Sequence, residues 1–150
     1  MNNAETPIFV DTSAFMAQYA EDDVHHDSAK TVFEGIQSGE LPYGPVYTSR
    51  YILAELATLI HYRKDHNQAA TAIGEIRASD TVNYLPINET AFSDACEAFT
   101  DPDEDAISLF DRLSAVVARE NGINHVLGFD EDFETMGFTL VPDDRWRPTD

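Results

Sequence analysis

Four acidic residues stand at positions where a soluble protein would not normally place a charge. Asp11 directly follows the apolar run IFV, and Asp130 directly follows HVLGF. Glu55 lies within YILAELATLIHY and Asp111 within AISLFDRLSAVVA. If these two stretches are helices, both acids share a face with apolar or small residues. A buried carboxylate is costly unless a cation, a metal or hydrogen-bond donors pair with it. Each of these acids therefore needs a partner.

Taken singly, each acid has a simpler explanation. Asp11 and Asp130 follow strand-like runs and could cap the next helix. Glu55 could form a structural ion pair with an arginine such as Arg50. Asp111 could be a solvated helix residue. Taken together, two acids at strand ends and two on inward helix faces could converge on one acidic pocket.

An acidic pocket of this kind has a definite chemistry. Three or four carboxylates at pH 7 must either take up protons or bind a cation. Ligands that are all oxygen suit Mg²⁺ or Mn²⁺ and do not suit zinc. Such ions activate water and neutralise charge on a phosphodiester under attack. The histidines show no metal-ligand spacing, and no glycine-rich loop followed by Lys-Ser or Lys-Thr is present, which excludes a P-loop enzyme.

The elements that must position these acids are predicted from the spacing of apolar residues. Helical periods separate short apolar runs. Strands separated by helices indicate a parallel sheet covered on both faces, so we expect an α/β/α three-layer domain of about five strands spanning residues 1–150. Ligands of such folds lie at the carboxyl ends of strands, where Asp11 is expected. The predicted strands are Ile8–Val10, Pro45–Thr48, Thr81–Ile87, His125–Phe129 and Phe138–Pro142.

Helix boundaries and one core helix are also predicted. Asn88 is expected to cap the helix after the third strand, and Gly122 to lie just past the end of the next one. The acidic stretch DPDEDA is expected in the first turn of that later helix, where the helix dipole favours acids. The single cysteine, Cys96, has core-like spacing with Phe92 and Phe99 and is expected to be a small buried residue.

The charge balance is strongly acidic. The chain has 28 Asp and Glu against 9 Lys and Arg, a formal net charge of −19. These acids alternate with patterned apolar positions, so they indicate a surface trait and not disorder. Self-repulsion destabilises a compact state unless salt screens it, and the Debye length is about 3 Å at 1 M salt. We hypothesise adaptation to a high-salt cytoplasm. The sequence has no apolar run long enough for a membrane span and no signal segment, which favours a cytoplasmic location.

The ordered motifs resemble those of PIN-domain nucleases, and most closely the VapC-like toxins of toxin–antitoxin pairs. The motifs are IFVDTSAF, HHDSAKTVFEGI, VYTSRYILAELATLI and ISLFDRLSAVVARENGINHVLGFDEDF. The resemblance implies a metal-dependent endoribonuclease with four acids around Mg²⁺ or Mn²⁺. The acids of the family fall on Asp11, Glu55, Asp111 and Asp130, with Asp132 as an alternative fourth acid. Thr12 and Ser13 match the hydroxyls that follow the first acid.

The resemblance also implies partners. These are an RNA substrate, a second copy of the chain in a homodimer, and an antitoxin whose tail occupies the acidic groove. A PIN nuclease that processes or surveys RNA without an antitoxin, or a non-catalytic PIN-like binding module, are the alternatives. Four arginines, Arg50, Arg63, Arg112 and Arg119, could form a basic rim or simply pair with surface acids. In the C-terminal DDRWRPTD, Trp146 could stack on a base or pack at a dimer surface, or the segment could be a loosely docked tail.

Overall fold

Five parallel strands form one sheet in the order β3-β2-β1-β4-β5 in the computed structural model, which describes residues 5–142. This confirms the expected α/β architecture with a central parallel sheet. All five predicted strands are present. Their bounds are β1 Thr6–Val10, β2 Tyr43–Thr48, β3 Val82–Tyr84, β4 His125–Leu127 and β5 Thr139–Val141.

Seven helices of the described part connect these strands. None of them combines the length and the apolar character that crossing a membrane requires. The helices are α1 Thr12–Tyr19, α2 His26–Ser38, α3 Arg50–Arg63, α4 His66–Ala78, α5 Glu89–Thr100, α6 Leu109–Glu120 and α7 Asp132–Thr135.

The central strand explains why the sequence shows short, continuous apolar runs. Ile8, Phe9 and Val10 of β1 are all 0% exposed, because strands flank β1 on both edges and helices cover both of its faces. A strand buried on both faces carries no alternating polar residues. Val126 and Leu127 of β4 are equally buried. These two strands therefore lie deep in the domain, and they fix the positions of the residues that follow them, Asp11 after β1 and Asp130 after β4.

The connections create a crevice at one end of the sheet. Helices α1 to α4 pack on one another, and α5 to α7 form a second packed group. Right-handed crossovers place the two groups on opposite faces, because the chain moves outward from β1 to β3 and then crosses back to β4 and β5. The strand order thus reverses between β1 and β4. Open parallel sheets bind their ligands outside the carboxyl ends of strands at such a point.

The predicted helix ends at Asn88 and Gly122 hold, whereas several other predicted bounds differ from those of the structure. The Asn88 side chain accepts a hydrogen bond from Ala91 N at 2.8 Å, and Gly122 follows α6 with φ +70°. Strand β3, however, ends at Tyr84. Pro86 lies two residues beyond and has no N–H to give to a ladder. DPDEDA precedes helix α6 and is not in its first turn, because Ser108 caps that helix.

The prediction that Cys96 is a small buried residue, in core-like spacing with Phe92 and Phe99, is wrong. Phe92 is 41% exposed and Phe99 is 51% exposed, while Cys96 is only half-buried. The residues of α5 that are buried are Ala91 and Ala95. A helix that packs closely on α6 buries its small face, because alanines allow the backbones to approach, and this turns the larger side chains outward. The DDRWRPTD tail lies outside the described residues.

Candidate metal centre

Asp11 occupies the carboxyl end of the central strand and is 3% exposed. Its backbone N–H donates to Leu127 O at 3.0 Å, which continues the pairing of β1 with β4 by one residue. Its side chain also caps α1, accepting a hydrogen bond from Ser13 N at 3.3 Å. The helix-cap explanation and the functional one therefore both apply to the same carboxylate.

The Ser13 hydroxyl holds this carboxylate in place. Ser13 Oγ donates to Asp11 Oδ2 at 2.8 Å and accepts a hydrogen bond from Phe129 N at 2.9 Å. Gly128 lies against the pair, and a Cβ at that position would come within 3.1 Å of both Asp11 Cβ and Ser13 Oγ. The absence of a side chain at residue 128 therefore allows the end of β4 to approach the end of β1.

Glu55 reaches the same region from helix α3. Thr12 Oγ1 donates a hydrogen bond to Glu55 Oε1. Ser49 caps α3 by accepting from Ile52 N at 3.3 Å, and Thr48 Oγ1 donates to Val10 O at 3.0 Å. These bonds fix the start of α3 against the end of β1. Glu55 is therefore half-buried and faces the crevice. The Glu55–Arg50 ion pair considered from the sequence is absent from the ion pairs of the described residues.

Asp111 enters from the opposite layer, in the first turn of α6. Its backbone N–H donates to the capping Ser108 Oγ at 3.2 Å. One carboxylate oxygen of each of Asp111, Asp130 and Asp132 lies within 4.8 Å of the other two. Asp130 Oδ1 also accepts a hydrogen bond from Asp132 N at 2.9 Å. The structure therefore brings both candidates for the fourth acid next to Asp111.

Burial and neighbouring charges in this cluster favour protonated over ionised carboxyl groups. Burial, partly offset by hydrogen bonds from Ser13, raises the pKa of Asp11 to about 6. Burial, the charge of Asp11 and a carboxyl–carboxyl hydrogen bond with Asp130 raise the pKa of Asp111 to about 8. Burial and the charge of Asp130 also raise the pKa of Asp132. Carboxylates paired with a cation would show the opposite shift.

The acids line one open groove of about 430 Å³. Among the described residues that line it, six are acidic and Arg63 is the only arginine or lysine. The acidic lining consists of Asp11, Asp23, Glu55, Asp111, Asp130 and Asp132. All four acids expected from the sequence are thus in one place.

The basic rim considered from the sequence does not form. Arg112 is 8% exposed and donates through Nη2 to Asp105 O at 2.7 Å, so it holds the segment before α6. Arg50 lies over the Tyr84 ring and Arg119 over the Phe138 ring, at 5.4 Å and 4.7 Å from the ring centroids. These three arginines thus contact groups outside the groove. Of the four arginines considered, Arg63 is the one that lines the groove in the described part of the chain.

Two groove residues, Asp23 and His25, escape sequence analysis. They lie in the connection between α1 and α2, which has no apolar period to place it. The sequence shows an aromatic residue, Phe129, immediately before Asp130, and the structure shows that the His25 ring stacks on it. Nothing in the spacing of the two residues indicates that contact.

Comparison with known proteins agrees with this geometry. The sequence profile of the PIN domain matches residues 8–139, which include all the acids of the groove. This chain belongs to the PIN-domain family. No curated protein sequence gives a significant match to this PIN domain.

The solved structures similar to this PIN domain include VapC proteins, as the motifs predict. VapC20 of Mycobacterium tuberculosis, described as a sarcin–ricin loop cleaving toxin, is 32% identical with a TM-score of 0.77, covering 88% of this chain and 96% of VapC20. VapBC2 of Rickettsia felis, bound to a DNA fragment from its promoter, is 14% identical with a TM-score of 0.67, covering 90% and 97%. FitAcB of Neisseria gonorrhoeae is 16% identical with a TM-score of 0.62, covering 94% and 97%. The last two show likeness of fold alone.

Proposed function

We propose that this PIN domain is a VapC-type toxin, a divalent-metal-dependent endoribonuclease that hydrolyses RNA phosphodiester bonds. The observation that carries the proposal is the convergence of Asp11, Asp111 and Asp130 from two strand ends and the opposite helix layer. The likeness to VapC20, a toxin that cleaves the sarcin–ricin loop, supports RNA as the substrate.

A hard divalent cation fits the residues present. The three side chains that lie close enough to share an ion, those of Asp111, Asp130 and Asp132, all offer carboxylate oxygens. Mg²⁺ and Mn²⁺ prefer such ligands. Burial raises the pKa of both Asp11 and Asp111, and a bound cation would stabilise their charged forms. We assign Asp11, Asp111 and Asp130 as ligands, with Asp132 beside them and Glu55 as a ligand or a hydrogen-bond acceptor for the attacking water.

The chain's own residues have separate tasks in this mechanism. Ser13 orients the Asp11 carboxylate, and Thr12 orients Glu55. A divalent ion bound here supplies charge neutralisation on the phosphodiester and makes water more acidic. Glu55 would either bind the ion or accept a hydrogen bond from the water that attacks phosphorus. Because water and not the ribose 2′-hydroxyl is the nucleophile, we expect products with 5′-phosphate and 3′-hydroxyl ends.

The decisive experiment is cleavage of total RNA in molar KCl with Mg²⁺ or Mn²⁺. We expect Asp111→Asn to lower the rate by more than about a hundredfold, because loss of a ligand should exceed the 10- to 100-fold cost typical of outer-shell changes. Asp94→Asn is the matched control, since Asp94 is an exposed acid on α5 and its replacement removes the same charge. Products ending in 2′,3′-cyclic phosphate, or cleavage that persists in EDTA, would contradict the mechanism.

An antitoxin and a homodimer are the proposed partners, with the cytoplasm as the location. A groove whose described lining has six acids and one arginine would suit a basic antitoxin tail. A gene for a small DNA-binding protein directly upstream would favour the toxin, and co-expression of its product should abolish RNA cleavage. Light scattering at molar KCl tests the dimer. A folded protein that remains a monomer at micromolar concentration would contradict it.

An RNA-processing nuclease without an antitoxin remains the alternative within the enzyme class. A non-catalytic binding module is less well supported, because all four expected acids reach the groove. Absence of cleavage across a panel of RNAs and metals by the folded wild-type protein would favour that module.

A further inference from the structure

His25 lies at the rim of the acidic groove, in the connection between α1 and α2. Its imidazole ring stacks on the Phe129 ring, with centroids 4.2 Å apart and an interplanar angle of 3°. The His25 side chain is nonetheless exposed. Because Phe129 covers one face of the imidazole, the other face is presented to solvent beside the acids.

The connection that carries His25 is held by local hydrogen bonds. Asp23 Oδ1 accepts from His25 N at 2.8 Å, and Asp23 N donates to Ala20 O at 2.9 Å. His26 Nδ1 lies at hydrogen-bond distance, 2.8 Å, from Ala17 O. The ring is therefore positioned before any ligand arrives, which reduces the entropy lost on binding.

The acidic charge of the groove suggests what an exposed aromatic ring such as that of His25 could contribute to RNA binding. Nucleic-acid binding usually draws on Lys and Arg contacts to phosphates. In the described lining only Arg63 offers one, against six acids. Base–aromatic stacking does not depend on charge, and it tolerates any base because each base has a π-face. A stacking contact thus supplies what this groove lacks.

We propose that His25, supported by Phe129, is the stacking platform for an unpaired nucleobase next to the scissile phosphate. The proposal rests on the proposed ribonuclease function and adds the residue that holds the substrate. A base must leave its helical stack to reach such a platform, so the substrate class is single-stranded RNA or a loop with splayed bases.

Binding can be measured without cleavage. Short single-stranded RNA oligonucleotides carrying 2-aminopurine at successive positions are titrated with the Asp111→Asn protein and with the same protein carrying His25→Ala, His25→Phe or His66→Ala. Stacking quenches 2-aminopurine fluorescence, so the titration gives both Kd and the position of the stacked base. His66→Ala is the matched control, because His66 is also an exposed histidine and does not line the groove.

We expect His25→Ala to raise Kd between about fivefold and a hundredfold, the range that one stacked base contributes. His25→Phe should restore binding and quenching, and the His25→Ala factor should be equal in 0.5 M and 3 M KCl. Unchanged Kd in His25→Ala would overturn the proposal. So would a defect that phenylalanine does not rescue and that shrinks in high salt, since that pattern indicates a charge contact.

Failure of the platform and failure of the nuclease give different results. With Asp111 intact, RNA cleavage at normal kcat and unchanged KM in His25→Ala would refute the platform while the enzyme stands. RNA binding that needs the His25 ring, together with a wild-type protein that cuts no RNA with Mg²⁺ or Mn²⁺, would support the platform and refute the nuclease.

Discussion

Ser13 and Phe129, 116 residues apart in the chain, are joined by a hydrogen bond of 2.9 Å from the Phe129 amide to the Ser13 hydroxyl. Because the same hydroxyl donates to Asp11 Oδ2, one side chain locks the first acid of the site to the end of the fourth strand. The geometry of the acidic cluster therefore depends on a residue that is not itself an acid.

Ser13→Ala should lower the rate of RNA cleavage by about 10- to 100-fold, the usual cost of losing a residue that orients a ligand. The free energy of unfolding should fall by about 1–3 kcal/mol, since the Phe129 N–H loses its partner along with the hydrogen bond to Asp11. Steady-state cleavage and urea melts measure the two effects. Ser28→Ala, at an exposed serine of α2, is the control. Equal cleavage rates for Ser13→Ala and Ser28→Ala would show that the Ser13 hydroxyl does not contribute to cleavage.

Gly128→Ala should impair the site because the added methyl group meets Asp11 Cβ and Ser13 Oγ at 3.1 Å. We expect cleavage to fall by at least about tenfold, because displacing a positioned group by a fraction of an ångström is costly. Gly74→Ala is the matched control. Gly74 lies in α4 with no neighbouring atom within 4 Å of the added Cβ, so alanine should stabilise the helix by about 0.5–1 kcal/mol.

The metal-free protein should lose stability as pH rises from about 4 to about 8. The unfolded carboxyls ionise near the ordinary pKa of 3.8, whereas folded Asp11 and Asp111 hold their protons up to pKa values of about 6 and about 8. Within that window the native state binds more protons than the unfolded state, so stability falls with pH. Thermal melts in EDTA and molar KCl from pH 5 to pH 8 measure the slope, which Asp111→Asn should reduce.

Mg²⁺ should oppose this loss, because a ligand bound only by the native state stabilises it. At a concentration a hundredfold above Kd the gain is about 2.7 kcal/mol. The gain should grow from pH 5 to pH 8, since protons and the cation compete for the same carboxylates. A Mg²⁺ effect that is equal in wild type and Asp111→Asn would show that the ion binds elsewhere.

Stability should rise with KCl concentration into the molar range. The net charge of −19 repels itself in dilute buffer, and molar salt shortens the range of that repulsion. Urea melts at 0.1 M and 2 M KCl measure the effect, with sucrose of equal osmolality as the control for solvent exclusion. Equal midpoints at the two KCl concentrations would contradict adaptation to a salty cytoplasm.

Sequence patterns predict the strands and the acids well, because both depend on local order along the chain. β1 and β4 appear as short apolar runs since they are buried on both faces, and the acids that follow them must share one edge of a parallel sheet. Inward placement of Glu55 and Asp111 follows from helical spacing in the same way.

Contacts set by tertiary packing are not predictable from these patterns. Phe92 and Phe99 have core-like spacing, yet α5 buries Ala91 and Ala95 because close approach to α6 favours small residues. Arg112 neighbours Asp111 in sequence but turns to the segment before α6. The His25–Phe129 stack joins an irregular connection to a strand end, and no periodicity encodes it.

The order of the acids along the chain has a consequence for synthesis. A ribosome-bound chain that has emerged only as far as α5 contains Asp11 and Glu55, but neither Asp111 nor Asp130. The central strand β1 also lacks its β4 neighbour at that stage, so the side of the crevice formed by α6 and β4 is missing. The four acids can therefore come together only after α6, β4 and Asp130 have all left the exit tunnel.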